Sequence, residues 1–169
     1  MPTTRRWALD PARSRVEFSV PTFWGLGTVV GHFDRFDGSS GRDAENVLAI
    51  DLKSIDAGSL DTGNETRDRH LRSKRFFDVA GHPQVRFSST LINELDGTLA
   101  MNGGLEAARG EVPVALDATV REAGDDLEIE ATITVDHREL GMTFGPLGMI
   151  RAPATLHVRA RLTPDRGQP

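Results

Sequence analysis

The residues with most capacity for chemistry lie together in Asn64-Glu65-Thr66-Arg67-Asp68-Arg69-His70-Leu71-Arg72-Ser73-Lys74-Arg75. Within 67–75, Arg67, Arg69, Arg72, Lys74 and Arg75 are opposed by Asp68 alone. Guanidinium groups grip phosphates and carboxylates, so one reading is a site for an anionic head group, with Arg67, His70 and Arg72 as its candidate residues. The same charges could instead give at most a peripheral contact with an acidic membrane surface. The reading we favour over both is a solvated helix face whose ion pairs fasten the helix to the rest of the chain. His70 beside Asp68 is the best acid/base candidate, but catalysis needs a nucleophile or partner in reach, and the sequence identifies none.

Other chemistries fare worse. His32, His70, His82, His137 and His157 are scattered, without the H-x-H or H-x-x-x-H spacing of a metal site, and there is no Cys to add a thiolate ligand or nucleophile. Gly25, Gly27 and Gly31 are spaced G-x-G-x-x-x-G ahead of a predicted strand, which is neither the spacing nor the context of a dinucleotide loop. A nucleophile elbow, P-loop or EF-hand pattern is missing too. No catalytic residue, no metal and no cofactor is expected.

The elements that must position these residues are mostly strands. Val112, Val114, Leu116, Ala118 and Val120 alternate with Glu111, Pro113, Ala115, Asp117 and Thr119. Leu127, Ile129, Ala131, Ile133 and Val135 alternate with Glu128, Glu130, Thr132, Thr134 and Asp136. Period two with one apolar face marks half-buried strands, and Ala123-Gly124-Asp125-Asp126 between them supplies the turn of a hairpin. Val16-Phe18-Val20 and Leu156-Val158-Ala160-Leu162 read as first and last strands, with others at about 28–36, 46–55, 84–92 and 96–102. Seven or eight such strands predict an all-β antiparallel barrel or sandwich. One helix is predicted over 64–73, capped by Asp61 or Thr62 and covering one end of the barrel.

At 169 residues with a net charge of -5, the chain suits one domain, 1–169, able to bury a core or wrap a guest molecule, and it is not a general nucleic-acid binder. Residues 163–169 read as a frayed tail. No apolar leader follows Met1 and no segment approaches the length of a membrane span, so a cytoplasmic location is expected.

Several segments carry a resemblance to a known family. They are Trp7-Ala8-Leu9-Asp10-Pro11, Ser14 to Val20, and Gly31-His32-Phe33-Asp34-Arg35-Phe36-Asp37-Gly38. The most specific is the run Arg67-Asp68-Arg69-His70-Leu71-Arg72-Ser73, Arg75-Phe76-Phe77-Asp78-Val79, and His82-Pro83-Gln84-Val85-Arg86-Phe87-Ser88-Ser89-Thr90. From about Trp7 to Leu162 the chain resembles the YceI-like polyisoprenoid-binding proteins. It departs from them at Leu105 to Val112, where threonines are lost, and at Arg138-Glu139-Leu140-Gly141, where an aromatic is lost.

The resemblance implies an extended, lipocalin-like barrel of about eight strands with a short helix at one end and a core at about 7–162. Its bore would hold a polyisoprenoid, isoprenoid quinone or similar lipid without transforming it. Phe18, Phe33, Phe36, Phe76, Phe77, Phe87 and Phe144 sit in or beside the elements that would line or cap such a bore. Val20, Leu71, Val114, Leu116, Ile129, Ile133 and Met142 complete the expected wall, and Trp24 is read equally as a gate at its mouth or as an exposed or edge-packed aromatic. The competing readings are a filled core without ligand, and an enzyme that turns over an apolar substrate with Arg67, Asp68 or His70 at the mouth. A homodimer fits the family.

Overall fold

The computed structural model describes residues 5–21, 27–142 and 153–165. Its eleven strands are β1 (Arg5–Leu9), β2 (Arg15–Pro21), β3 (Thr28–Phe33), β4 (Phe36–Arg42), β5 (Leu48–Asp56), β6 (Leu60–Asp61), β7 (Gln84–Leu95), β8 (Thr98–Ala107), β9 (Gly110–Ala123), β10 (Asp126–Val135) and β11 (Ala154–Pro164). Among the described residues one α-helix, α1 (Glu65–Leu71), stands between β6 and β7.

All pairings are antiparallel, in the order β1-β4-β5-β7-β8-β9-β10-β11, and β11 returns to β1 to close a ring of eight. Along its other stretch β11 pairs β2, which continues through β3 to β6. β1 and β2 are one strand broken by a turn at Pro11–Arg13, and with β3 and β4 they make one long bent hairpin. Eight strands give a barrel about wide enough for side chains or one small ligand.

Local chemistry explains the long hairpins. β7 and β8 turn through Asp96 (φ 51°) and Gly97 (φ 79°), the two left-handed residues that a tight primed turn demands. β9 and β10 turn through Gly124 and Asp125, where the alternation predicts it. Their apolar faces point inward, with Val112, Ala118, Val120, Leu127, Ile129, Ile133 and Val135 all buried.

Four expectations need correction. The first strand begins at Arg5, eleven residues before Val16, because Trp7 and Leu9 carry the same inward period too briefly to be read alone. The strand expected at 28–36 ends at Phe33, and the chain resumes as β4 after Asp34-Arg35. The helix cap is Asn64, whose side chain accepts from the Arg67 amide, while Asp61 accepts from Gly63 N–H in a turn of its own. Residues 163–165 belong to the sheet edge instead of a tail, since β11 runs to Pro164 and Asp165 N–H donates to Arg6 O.

Candidate ligand-binding site

The inward faces of the strands enclose two apolar cavities in line. The upper one, about 40 Å³, is lined chiefly by Phe18, Val20, Phe33, Phe77, Leu105, Ile133, Met142 and Ala154. The lower one, about 50 Å³, lies between Leu9, Leu52, Phe87, Met101, Leu116, Ile129, Val158 and Leu162. Ile133 lines both. Volumes of this size hold a water or two but not a lipid chain, so a long guest must push side chains aside.

Aromatic rings shape both cavities, and two glycines give them room. A Cβ on Gly31 would stand 2.5 Å from the Phe18 ring, and one on Gly103 would stand 2.6 Å from the Phe87 ring. Each ring is therefore seated against bare backbone. Phe18, Phe33 and Phe77 form a triad with centroids 5.0, 5.6 and 5.8 Å apart, the two Phe77 contacts being edge-on.

Phe77 is delivered to that triad by the motif with the strongest family resemblance, and the delivery is structural. Buried Asp68 accepts from both the amide and the hydroxyl of Thr62, at 2.9 and 2.5 Å. Arg67 donates to Thr62 Oγ1 and O. Arg72 donates to the carbonyls of Gly58 and Leu60, so both guanidinium groups hold the helix to the chain before it. His70 is exposed and meets Phe76 edge-on, with ring centroids 5.8 Å apart. The three head-group candidates thus have partners of their own, and none lines either cavity.

Arg109 ties the next corner together. It donates to Lys74 O, to Asp78 at 3.4 Å and to Gly141 O at 2.6 Å, joining the loop after α1 to the 3-10 turn His137–Leu140. Gly110 is required there, because a Cβ would stand 2.3 Å from Glu139 O. At the start of that turn the Arg138 guanidinium holds the Asp136 carboxyl down to about 2.

Of the expected wall, Phe18, Val20, Phe33, Phe77, Ile133 and Met142 line the upper cavity. Phe87, Leu116, Ile129 and Ile133 line the lower. Leu71 and Phe76 are buried in the core, while Phe36 and Val114 are half-buried against it. Trp24 and Phe144 lie outside the described residues. Met101 and Leu105 on β8, and Leu156 and Val158 on β11, also form the wall. Met101, Leu156 and Val158 fall in expected strands without being expected at the wall, whereas Leu105 lies past the strand expected at 96–102, since β8 runs on to Ala107.

The end of the barrel opposite α1 is closed differently. Trp7, only 1% exposed, donates from Nε1 to Asp125 O at 2.9 Å, and the Arg5 guanidinium lies 4.8 Å from its ring centre. Beyond it Arg42, 6% exposed, makes two hydrogen bonds to the Glu94 carboxylate, at 2.7 and 3.0 Å, and one to Asn46 O. Hydrogen bonding from Arg42 holds the Glu94 carboxyl below its ordinary range, against a smaller opposing effect of burial.

Two outer features are polar. A groove of about 650 Å³ on the β9–β11 wall is lined chiefly by Arg13, Arg121, Arg159, Arg161, Glu128 and Glu130. Its cations already meet carboxylates, as in Arg161 with Asp126 and Glu128, so it offers little to an apolar guest. His32 on β3, Asp34 just past its end and Asp61 on β6 gather with their ligand atoms within 4.8 Å of one another, a grouping that local spacing hides because Asp61 arrives from another strand. His32 meets Asp34 at 2.9 Å, and ordinary surface pairing accounts for the contact.

Comparison with known proteins agrees with this architecture. The YceI-like domain family matches residues 7–162. The chain belongs to the YceI-like family. A UPF0312 protein of Pectobacterium atrosepticum is 32% identical over 146 residues, covering 78% of this chain and 72% of the relative. Protein YceI of Salmonella arizonae is 36% identical over 103 residues, 60% of this chain and 54% of the relative. Burkholderia cenocepacia BcnA shares the fold at TM-score 0.79 and 19% identity, over 90% of this chain and 98% of that one. A Campylobacter jejuni YceI protein does so at 0.69 and 18%, over 84% and 88%. The names of these relatives assign no enzymatic activity.

Proposed function

We propose that this YceI-like barrel binds and carries a long apolar molecule, of the polyisoprenoid or isoprenoid-quinone kind, without transforming it. The observation that carries the reading is the pair of in-line cavities, whose walls are almost wholly aliphatic and aromatic. A prenyl chain offers area and almost no hydrogen bonds, which is what such a wall can accept. The polyisoprenoid class itself rests on the family resemblance. Insertion requires the cavities to merge, and Met101, Met142 and the phenyl rings around Ile133 are side chains that can swing to let them do so.

The test is native mass spectrometry of the protein purified from a bacterial host, followed by denaturing extraction and lipid identification. A co-purified prenyl or quinone species near unit stoichiometry supports the reading. An apo mass that added polyprenols, quinones and fatty-acid analogues all fail to shift would overturn it.

A further inference from the structure

The two ends of the bore differ in what a chain would meet there, and this bears on which chains fit. β11 lines the lower cavity from Leu162 and the upper cavity as far as Ala154. One inward position beyond the Leu9–Leu162 pair stands Trp7, opposite Pro164 and Ser40. Its indole is hydrogen-bonded to the β9–β10 turn and covered by Arg5, and Arg42 and Glu94 lie one inward position further on. An apolar chain would have to part an ion pair whose arginine is buried, although its glutamate keeps contact with water, and so leave that guanidinium without its carboxylate.

We propose that Trp7, backed by the Arg42–Glu94 pair, is the stop that sets how much of an apolar chain the barrel holds. The chain enters tail first from the Met142–Ala154 end and rests its tail on the indole. The proposal rests on the carrier reading above and adds a length to it. From Leu162 to Ala154 the wall rises by roughly 20 Å, at about 3.3 Å per residue and a tilt of about 40°. An extended chain advances about 1.2 Å per bond, as a polypeptide backbone does, so roughly four isoprene units span the bore. Atoms beyond about the twentieth carbon stay outside and add little.

The experiment is a titration of the intact protein with prenyl alcohols of increasing length, geraniol, farnesol, geranylgeraniol and a long polyprenol, each with its dissociation constant. Affinity is expected to tighten on the order of tenfold or more with each five-carbon unit up to geranylgeraniol, and then to level off. Trp7→Ala moves the levelling point one unit longer. Ala160→Leu, which adds side chain to the wall of the lower cavity one inward position above Leu162 and leaves Trp7 in place, moves it one unit shorter. This second variant answers the question even if Trp7→Ala folds poorly. Affinity that climbs steadily past geranylgeraniol, or a levelling point that neither variant moves, overturns the stop while the carrier reading stands. Failure of every alcohol to bind overturns both.

Discussion

The two ends of the barrel are closed by different chemistry. At the Trp7 end, closure is made by groups with few alternatives: an indole held at its N–H, and a guanidinium matched to a carboxylate by two hydrogen bonds. At the α1 end, among the described residues, Phe18, Phe33 and Phe77 surround a cavity, and the polar bonds lie behind them, in Asp68, Arg72 and Arg109. Directional bonds at the first end resist rearrangement, whereas phenyl rings beside a void can rotate without leaving a donor unpaired. A barrel built this way can yield at one end and keep its shape at the other.

Substitutions should separate the ends. The largest effect is expected for Trp7→Ala, about 3–5 kcal/mol of lost stability in urea unfolding, because the site is fully packed. Next is Glu94→Gln, at about 2 kcal/mol, less than a fully buried pair would lose because Glu94 keeps some contact with water. Its pH signature is specific. Arg42 lowers the folded-state pKa of Glu94 below the ordinary 4.5, so the contribution is complete above that value and fades as pH falls through the folded-state pKa. Glu94→Gln should flatten the acid limb of stability against pH, and an unchanged limb would remove the ion pair from the account. The smallest effect is expected for Phe77→Leu, about 1 kcal/mol, because the upper cavity lets neighbours adjust. That variant should take up geranylgeraniol several-fold faster in stopped-flow mixing. If it costs as much stability as Trp7→Ala, the contrast between the ends fails.

The sequence exposed the barrel walls better than its ends. β9 and β10 alternate over long stretches, so their strands and inward faces were legible residue by residue. Residues 5–9 were not, because a five-residue strand gives too little period, and Trp7 becomes a floor only through its pairing with Pro164 and Ser40. Arg42 and Glu94 were invisible as partners for a similar reason. They are fifty-two positions apart, and a register shift between Ser89 and Leu91 changes the phase of β7 ahead of Glu94. The Arg67–Arg75 run drew notice as the main charge excess, and the structure gives Arg67 and Arg72 hydrogen-bond partners in residues 58–62, which favours the fastening reading. Phe18, Phe33, Phe77, Phe87 and Ile133, expected at the bore, line its two cavities. What periodicity could not convey is how far neighbouring side chains fill it, since that depends on packing across strands distant in sequence.

Amide hydrogen exchange, with and without saturating geranylgeraniol, tests the central claim most directly. Without ligand, residues 5–9, 98–101 and 126–129 should exchange only through global unfolding, while 65–79 and 137–142 exchange through smaller local openings. Ligand should slow exchange at the α1 end and along 129–135 by suppressing local openings, and should slow the Trp7 end only by the increment in global stability that binding adds. Equal exchange at both ends before ligand, or protection confined to the Trp7 end after it, would contradict the account.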